Sequence, residues 1–275
     1  MRKRILAIHD LSGFGNGSLM SIIPIMYRYG IQVTALPSAL LSANTCYEDY
    51  AWLDTSSFLD QSIAHYTGLN RRFSAIYSGF LGSPQQADLL CNAIGDLATE
   101  DTLVVIDPVM ADDGKLYGCY CEDMVEAMRK LVAKADLITP NYTEACFLAG
   151  WEYRMDRNEE DLQRLCADLS ALGPKSLIIT SVPDTSAEGS RVLYHTPKQG
   201  SKSFPCSYIP VFYPGTGDIF CALILALHLN GYSIEAAIPK VTAFIHRAIA
   251  YSMQSGEDHR EGVLLESLLF QDDLR

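Results

Sequence analysis

Short apolar runs alternate along the chain with longer segments in which apolar positions recur every three or four residues. The short runs are rich in Ile, Val and Leu with little polar alternation, which is typical of strands covered on both faces of a parallel sheet. Six strands are predicted, at 4–9, 32–37, 75–78, 103–107, 136–139 and 176–180. Helices are predicted near 17–29, 56–70, 84–98, 121–134, 142–149 and 158–172. This alternation predicts a doubly wound α/β sheet.

The pattern changes after the sixth predicted strand. Residues 183–210 are rich in Pro, Ser and Gly, and two short runs within them predict a hairpin of Arg191–His195 and Ser203–Tyr208. This segment fits a flap over a bound nucleotide and an ordinary surface hairpin equally well. Two mainly apolar helices are predicted after it, at about 216–230 and 233–253.

The composition favours one folded domain over residues 1–275, since 48% of the residues are hydrophobic, 20% are charged and no repeat or linker divides the chain. The formal net charge of −12 repels nucleic acid and anionic membranes, so neither is a predicted partner. A local cradle of backbone N–H groups can nevertheless bind a small anion.

Targeting and redox signals are sparse in the sequence. No apolar run approaches the ~20 residues of a membrane span, and the run at the amino terminus is too short for a secretion signal. Eight cysteines occur without any C-x-x-C spacing, and most lie within apolar patterns. They predict reduced, buried thiols and a cytoplasmic location.

In an open α/β sheet, ligands bind beyond the carboxyl ends of the strands, so the residues that follow each predicted strand are informative. A loop with three glycines, Gly13, Gly15 and Gly17, follows the first strand. Its G-x-G-x-G spacing differs from the G-x-G-x-x-G of dinucleotide-binding loops, and no acidic residue ends the second strand. The loop therefore favours a small-molecule site with close backbone approach, and a plain turn stays open as the alternative.

Polar side chains follow the later strands of the predicted sheet. Asp107, fixed by a following proline, is a candidate ligand of hydrated Mg²⁺ and equally suits a cap on the next turn. Asn141 and Glu144 have the spacing of a helix capping box, and the same amide and carboxylate could order water around a metal. Thr180 and Ser181 either hydrogen-bond a phosphate or are ordinary turn residues.

The segment Gly215-Thr216-Gly217-Asp218 opens the first of the two apolar helices. Glycines let backbone N–H groups turn towards one point, and the positive end of the helix lies there too, so the segment predicts an anion hole. Asp218 stands in the first turn, where an acid stabilises a helix and could also accept a proton from an alcohol. Phosphoryl transfer to an alcohol requires this combination. The segment is not a Walker P-loop, because no G-x-x-x-x-G-K-[ST] occurs.

Taken in order, these motifs resemble those of the ribokinase-like superfamily and, within it, of the pyridoxal (vitamin B6) kinases. The resemblance runs nearly end to end and rests on Gly13–Asn16, Leu41–Thr45, Tyr77–Phe80, Asp107–Met110, Pro140–Glu144, Thr180-Ser181 and Gly215–Asp218. It implies a three-layer α/β/α fold around a doubly wound, mostly parallel sheet. It also implies ATP-dependent phosphorylation of the 5′-hydroxymethyl group of pyridoxal, pyridoxine or pyridoxamine.

Carried over by position, the resemblance implies a role for each motif residue. Asp218 would be the catalytic base, beside an anion hole of Gly215, Thr216 and Gly217. The pyridine pocket would be lined by Asp10, Ser12, Asn44, Thr45 and Phe80. Asn141 and Glu144 would organise Mg²⁺ and its waters with Asp107 nearby, and Thr180 and Ser181 would contact the phosphates of ATP. Such kinases are typically cytoplasmic homodimers, and whether a monovalent cation is required stays open.

Three other functions remain open at this stage. The stretch Asp10–Gly13 is similar to a motif of the hydroxymethylpyrimidine kinases, but those relatives usually carry Cys where this chain has Asp218. Kinases of sugars or nucleosides share the chemistry, although the long lid insertion of many sugar kinases is missing between the first two strands. A non-catalytic vitamin B6- or nucleotide-binding protein is the third, and the complete catalytic set counts against it.

Overall fold

A nine-stranded sheet between two layers of helices forms the protein, whose computed structural model describes residues 2–69, 71–184, 189–207 and 209–271. The strands in the described ranges are β1 (Arg4–Ser12), β2 (Gln32–Leu41), β3 (Trp52–Asp54), β4 (Ala75–Ser78), β5 (Leu103–Ile106), β6 (Ala111–Asp112), β7 (Lys115–Leu116), β8 (Leu137–Ile138), β9 (Leu177–Asp184), β10 (Gly189–Thr196) and β11 (Gly200–Cys206). The helices are α1 (Ser18–Arg28), α2 (Ser56–Gly68), α3 (Pro84–Leu97), α4 (Glu122–Val132), α5 (Tyr142–Ala149), α6 (Glu159–Ala171), α7 (Thr216–Leu229), α8 (Ile234–Ser255) and α9 (Leu265–Leu268).

The sheet has the order β11-β10-β9-β8-β5-β4-β1-β2-β3, and β6 pairs with β7 in a separate hairpin. The central neighbours, from β9 through β8, β5, β4 and β1 to β2, are parallel, whereas β3, β10 and β11 add antiparallel edges. The chain runs from β1 outwards to β2 and then returns to β4 on the other side of β1. The carboxyl ends of β1 and β4 therefore lie at a topological switch point, where such sheets bind ligands.

Strand β1 shows how the two layers are held together. Its side chains alternate between the faces: Leu6 and Ile8 pack with helices α2–α6, and Ile5 and Ala7 pack with α1, α7 and α8. Helix α7 is buried from Asp218 to Leu227, as its nearly continuous apolar sequence predicts. The predicted α/β fold with a mostly parallel sheet is confirmed.

Three strands are longer than the sequence pattern predicts. β1 continues past His9 to Ser12, β2 past Pro37 to Leu41, and β9 past Thr180 to Asp184. Each contains a shift in pairing register that interrupts its apolar pattern, and the strand continues beyond that shift. The prediction that these strands end at 9, 37 and 180 was therefore wrong, and polar residues expected just after the strands lie within them.

Short elements without a long apolar run were not predicted. They are edge strand β3, whose three residues are all exposed, the hairpin of β6 and β7, and the short helix α9. The hairpin predicted near 191–208 is confirmed as β10 and β11, except that Tyr208 lies outside the described residues. Within the described ranges, no helix combines the length and the apolar character needed to cross a bilayer.

The eight cysteines are all free thiols, as predicted. Burial is less general than the sequence pattern suggests: Cys146, Cys166 and Cys221 are buried, whereas Cys119 and Cys121 are exposed. The exposed pair lies in the turn between β7 and α4, on either side of Tyr120, whose side chain packs against the core.

Candidate active site

Helix α7 begins at the carboxyl edge of the sheet with free backbone donors. Gly215, its N-cap, has φ +81° and makes no side-chain capping bond. The first intrahelical bond runs from the N–H of Ile219 to the carbonyl of Gly215, so the N–H groups of residues 216–218 precede the hydrogen-bonded ladder. Such donors and the positive helix end have the chemistry that suits an anion.

Gly215 is required by its surroundings as well as by its φ. A Cβ at this position would lie 2.6 Å from the carbonyl oxygen of Asn16 and 2.8 Å from the Cα of Gly17. The glycine loop after β1 therefore packs directly against the start of α7. The sequence pattern indicated two separate glycine motifs, at 13–17 and 215–217. In the fold they are in direct contact.

The Asp218 carboxylate lies at the meeting point of two helix ends. One oxygen, Oδ2, accepts a hydrogen bond of 2.6 Å from the backbone N–H of Ser18, at the start of α1. The other, Oδ1, lies 3.1 Å from Nε2 of His9. Asp218 is therefore held from two sides, and 8% of its surface is exposed.

Asp10 and Ser12 lie beside Asp218 at the end of β1. Asp10 Oδ1 lies 2.8 Å from His9 Nδ1 and accepts from the Ser18 hydroxyl at 2.6 Å, while Oδ2 accepts from the Ser12 hydroxyl at 2.8 Å. The backbone nitrogen of Asp10 also lies 3.0 Å from His9 Nδ1. Burial alone would raise the pKa of Asp10, but the hydrogen bond and charge of His9 outweigh burial and lower it. Asp10 is therefore an ionised, internally bonded carboxylate.

A second acidic group lies at the ends of β5 and β8. Burial, and then the negative charge of Asp218, raise the pKa of Asp107 to about 7. Burial, and then Asp107, raise the pKa of Glu144 well above its ordinary value. The capping box predicted from the sequence is confirmed: Asn141 Oδ1 accepts from the Glu144 N–H at 2.9 Å, and Glu144 Oε2 accepts from the Asn141 N–H at 2.8 Å.

This second group has the chemistry of a partial cation site. Both acids are buried and supply oxygen ligands, which suit Mg²⁺, and the repulsion between their charges would fall if a cation lay nearby. Within the described part of the chain, no three His, Cys, Asp or Glu side chains are grouped closely enough to bind a metal alone. The residues fit a hydrated cation that keeps waters and nucleotide oxygens among its ligands, and they do not form a closed protein cage.

Thr180 and Ser181 form a bulge within β9. They oppose the single residue Val192 of β10, and Ser181 has φ +56°, which is uncommon for a residue with a side chain. Thr180 also forms a bridge with Asn141, so the two hydroxyls lie next to the capping box. Both side chains are at least partly exposed, and the bulge directs them out of the regular ladder.

The loop after β2 carries Asn44 and Thr45, on the other side of the glycine loop. Asn44 donates a hydrogen bond of 2.7 Å to the carbonyl of Arg260, and the backbone N–H of Asn16 donates to the carbonyl of Glu261 at 2.6 Å. The carboxy-terminal turn at 259–261 therefore ties the two loops together. Thr45 is exposed beside this contact.

Phe80 follows β4 and is 5% exposed. Its ring packs edge-on against Trp52 at 5.8 Å between centroids and at a tilt against Tyr120 at 5.5 Å. The hydroxyl of Tyr120 donates to the carbonyl of Leu81. The ring belongs to an aromatic wall of three residues, a larger surface than the single ring predicted from the sequence.

The profile of the phosphomethylpyrimidine kinase family matches residues 28–262, which is most of the chain. The chain belongs to this family. It is similar to the solved structure of a candidate phosphomethylpyrimidine kinase from Bacteroides thetaiotaomicron with pyridoxal, at 39% identity over 98% of this chain and 96% of that one, with a TM-score of 0.95. The predicted ribokinase-like fold and the kinase class of the enzyme are confirmed.

The relatives of this chain also include pyridoxal kinases. The structure of pyridoxal kinase from Lactobacillus plantarum is 30% identical, covers 98% of this chain and 96% of that one, and has a TM-score of 0.89. A pyridoxal kinase from Leifsonia xyli is 28% identical over 279 residues, which are 97% of this chain and 95% of that protein. The resemblance to the pyridoxal kinases is thereby confirmed.

Sequence reasoning about this family member missed two residues that contact Asp218. His9 was assigned to a strand and given no role, and Ser18 was assigned only to the start of a helix. A histidine followed by an aspartate at the end of an apolar strand was the available signal for His9. Ser18 offered none, because its role depends on φ +53° and on a contact with a residue 200 positions away.

Proposed function

We propose that this family member is an ATP-dependent kinase that phosphorylates the 5′-hydroxymethyl group of pyridoxal, pyridoxine or pyridoxamine. The observation that carries the proposal is the Asp218 carboxylate in the first turn of α7, beside the uncapped N–H groups of that helix. A carboxylate and an anion site in contact meet the needs of a hydroxyl nucleophile and of the phosphoryl group it attacks. The pyridoxal in the Bacteroides structure supports the choice of alcohol.

In the proposed reaction the substrate oxygen attacks the γ-phosphorus of ATP. The new O–P bond forms as the bond to the ADP oxygen breaks, and the hydroxyl proton passes to Asp218. The N–H groups of Gly215, Thr216 and Gly217 stabilise the negative charge on the transferred phosphoryl group. Because Asp218 is fixed by Ser18 and His9, its accepting oxygen needs little reorganisation during the transfer.

The nucleotide and its metal are assigned to the other acidic group. Thr180 and Ser181, raised by the bulge of β9, would hydrogen-bond the phosphates. Asp107, Asn141 and Glu144 would hold Mg²⁺ through oxygen ligands and waters, and bound Mg²⁺ would supply positive charge to the phosphate oxygens. The raised pKa values of Asp107 and Glu144 support this assignment, because a buried pair of acids gains most from a nearby cation.

The pyridine ring is assigned to the space between the aromatic wall at Phe80 and the loop that carries Asn44 and Thr45. Ser12 would contribute a hydroxyl to its floor. Asp10 would act there through its charge and its bond to Ser12, since both of its oxygens already accept hydrogen bonds. The cytoplasmic location and homodimeric assembly typical of pyridoxal kinases belong to the same proposal.

A coupled assay of ADP release with Mg-ATP tests the proposal, with pyridoxal, pyridoxine, pyridoxamine and hydroxymethylpyrimidine as alcohols. Turnover of a B6 vitamer should fall about 10²–10⁴-fold in Asp218→Asn, the range that a positioned general base contributes. Unchanged turnover in that variant would refute the assignment of the base. The family profile supports hydroxymethylpyrimidine as the second candidate, and turnover of that alcohol alone would select it. No turnover of any alcohol would leave a binding protein.

A further inference from the structure

His9 occupies the centre of the charged group at the end of β1. It is 1% exposed; Nδ1 lies 2.8 Å from Oδ1 and 3.0 Å from the backbone nitrogen of Asp10, and Nε2 lies 3.1 Å from Oδ1 of Asp218. A buried polar ring with two such contacts is rare without a structural or functional reason. The ring lies between the residue assigned as base and an acid that belongs to the same strand.

The contact with Asp218 fixes a proton on one ring nitrogen. An ionised carboxylate only accepts hydrogen bonds, so the bond to Asp218 requires a proton on Nε2, whereas Nδ1 lies within hydrogen-bond distance of both Oδ1 and the backbone N–H of Asp10. Burial lowers the pKa of His9, but the charge of Asp218 and the bonds to both acids outweigh burial and raise the pKa to about 10. A pKa this high favours the imidazolium, which offsets one of the two negative charges beside it.

Four residues form a closed ring of hydrogen bonds. His9 joins Asp10 to Asp218, and Ser18 joins the same two acids through its hydroxyl and its backbone N–H, each at 2.6 Å. The members come from β1, α1 and α7, so the ring fixes three elements at the point where the reaction is assigned. We refer to His9, Asp10, Ser18 and Asp218 as the charged ring.

The backbone of β4 leaves room for the imidazole. A Cβ at Gly79 would lie 1.9 Å from Cδ2 and 2.0 Å from Nε2 of His9. The edge of Tyr77 packs against the imidazole with 6.3 Å between the ring centroids. A glycine and an aromatic ring therefore hold the imidazole in one orientation, with Nε2 towards Asp218.

We propose that His9 is the positioning residue of the Asp218 base: it donates a hydrogen bond from Nε2 and so holds the accepting carboxylate in one orientation. The proposal rests on the proposed function of Asp218 as the base. His9 contacts the base and has no assigned contact with either ligand, so its loss should lower kcat much more than it raises the KM of ATP.

Two amide variants of His9 distinguish the contact of its imidazole with Asp218 from the contact with Asp10. In His9→Gln the side-chain nitrogen can reach the position of Nε2 and keep the bond to Asp218, whereas in His9→Asn it can replace only the Nδ1 bond to Asp10. We expect kcat to fall about 100-fold in His9→Asn and about 10-fold in His9→Gln, because a misplaced reacting group costs up to about 100-fold. A matched control is His228→Asn, at the far end of α7 and about 15 Å along the helix from Asp218.

The pH profile of kcat/KM distinguishes positioning from a loss of folding. The charged and titratable groups that face His9 are Asp10 on its own strand, Asp218 on α7, Asp107 at the end of β5 and Tyr77 on β4. Removal of the positive charge among them should move the acid limb of the profile to higher pH in both His9 variants, and it should leave the limb unchanged in His228→Asn. Equal kcat in all variants, or an unmoved limb, would overturn the proposal.

A measurement without turnover keeps the proposal separate from the proposed function. In ¹⁵N NMR of the full chain, the His9 signals, assigned by their loss in His9→Gln, should show a proton on Nε2 at pH 7.5. A bare Nε2 would overturn the proposal even if the enzyme is active. A protonated Nε2 in a protein that phosphorylates no alcohol would leave the charged ring in place and refute the function of Asp218 instead.

Discussion

The two acidic groups at the carboxyl edge of the sheet solve the same electrostatic problem in different ways. In the charged ring, Asp10 and Asp218 lie beside a positive histidine, and the pKa of Asp10 falls below its ordinary value. In the second group, Asp107 and Glu144 are also buried, and the pKa of each rises. Both groups are buried, and only the first has the charged side chain of His9 within hydrogen-bond distance of both its acids.

This difference indicates which of the two acidic groups would bind a cation that the chain does not supply. A base must stay ionised and in place before substrate arrives, so a permanent internal cation suits it. At a metal site, the repulsion between two carboxylates is relieved only when the metal binds. Carboxylates without a cation from the chain therefore suit such a site. The contrast supports the assignment of the alcohol to the charged ring and of the nucleotide with its metal to Asp107 and Glu144.

The largest effect is expected from Gly79→Ala, which disrupts the charged ring although Gly79 is not one of its four residues. Gly79→Ala places a Cβ within 2.0 Å of the His9 ring, which must then move away from Asp218. We expect kcat to fall about 100-fold and the free energy of unfolding to fall by about 1–3 kcal/mol, as overpacked cores do. Steady-state kinetics and urea unfolding measure the two effects.

The control for this prediction is Gly95→Ala. Gly95 is exposed in α3, and a Cβ there meets nothing within 4 Å. Alanine should stabilise the helix by about 0.5–1 kcal/mol and leave kcat unchanged. If Gly79→Ala kept full activity, the ring of His9 would tolerate displacement and the importance of its position would be refuted.

The sequence predicted the regular parts of this molecule well. The six parallel strands and the eight longer helices lie within a few residues of their predicted places, because each carries an apolar pattern and some helices carry a clear cap, such as the Asn141 capping box. The motif order also predicted the family. The site itself was predicted as a set of separate strand ends.

What the sequence left out depends on contacts between distant segments. The bond between Ser18 and Asp218 spans 200 residues, and the fit of Gly79 to His9 spans 70, so neither leaves a local pattern. The bulge of Thr180 and Ser181 was taken for a strand end because its irregular pairing interrupts the apolar pattern. Local patterns predict elements, and tertiary packing decides which polar side chains meet.

A second, smaller effect tests the other acidic group. Glu144→Gln keeps a residue that a capping box accepts and removes a charge from the proposed metal site. We expect the apparent affinity for Mg²⁺ to weaken about 10–100-fold, the usual cost of losing a metal-supporting carboxylate. Titration of kinase activity with MgCl₂ measures this effect, and a smaller rise of Tm with added MgCl₂ provides a readout independent of turnover.

Glu160→Gln is the charge-matched control, because Glu160 is exposed in the first turn of α6. Its titration curve should follow that of the unmodified chain. If Glu144→Gln also followed that curve, the second group would be a structural cap and the contrast between the two groups would lose its functional meaning.

The smallest expected effect is that Asp107 and His9 change the free energy of unfolding over different ranges of pH. The pKa of Asp107 is about 7 in the folded chain and ordinarily 3.8, so between these values the folded state binds a proton that the unfolded state has lost. Stability from this group is full below pH 3.8 and falls as pH rises towards 7, by up to about 1.4 kcal/mol per pH unit. His9, with a pKa raised from 6.5 to about 10, loses its contribution in the higher window between those values.

Urea unfolding of the metal-free protein at intervals from pH 4 to 10 separates the two windows. Asp107→Asn should remove a decline between pH 4 and 7, and His9→Gln should remove one between pH 6.5 and 10, each judged as the difference from the unmodified chain. Added MgCl₂ should reduce the first decline and leave the second unchanged, because only the first group is assigned to a cation from outside. If both windows responded to MgCl₂ alike, the two groups would act as one site, and an internal cation at His9 would no longer distinguish the base from the metal ligands.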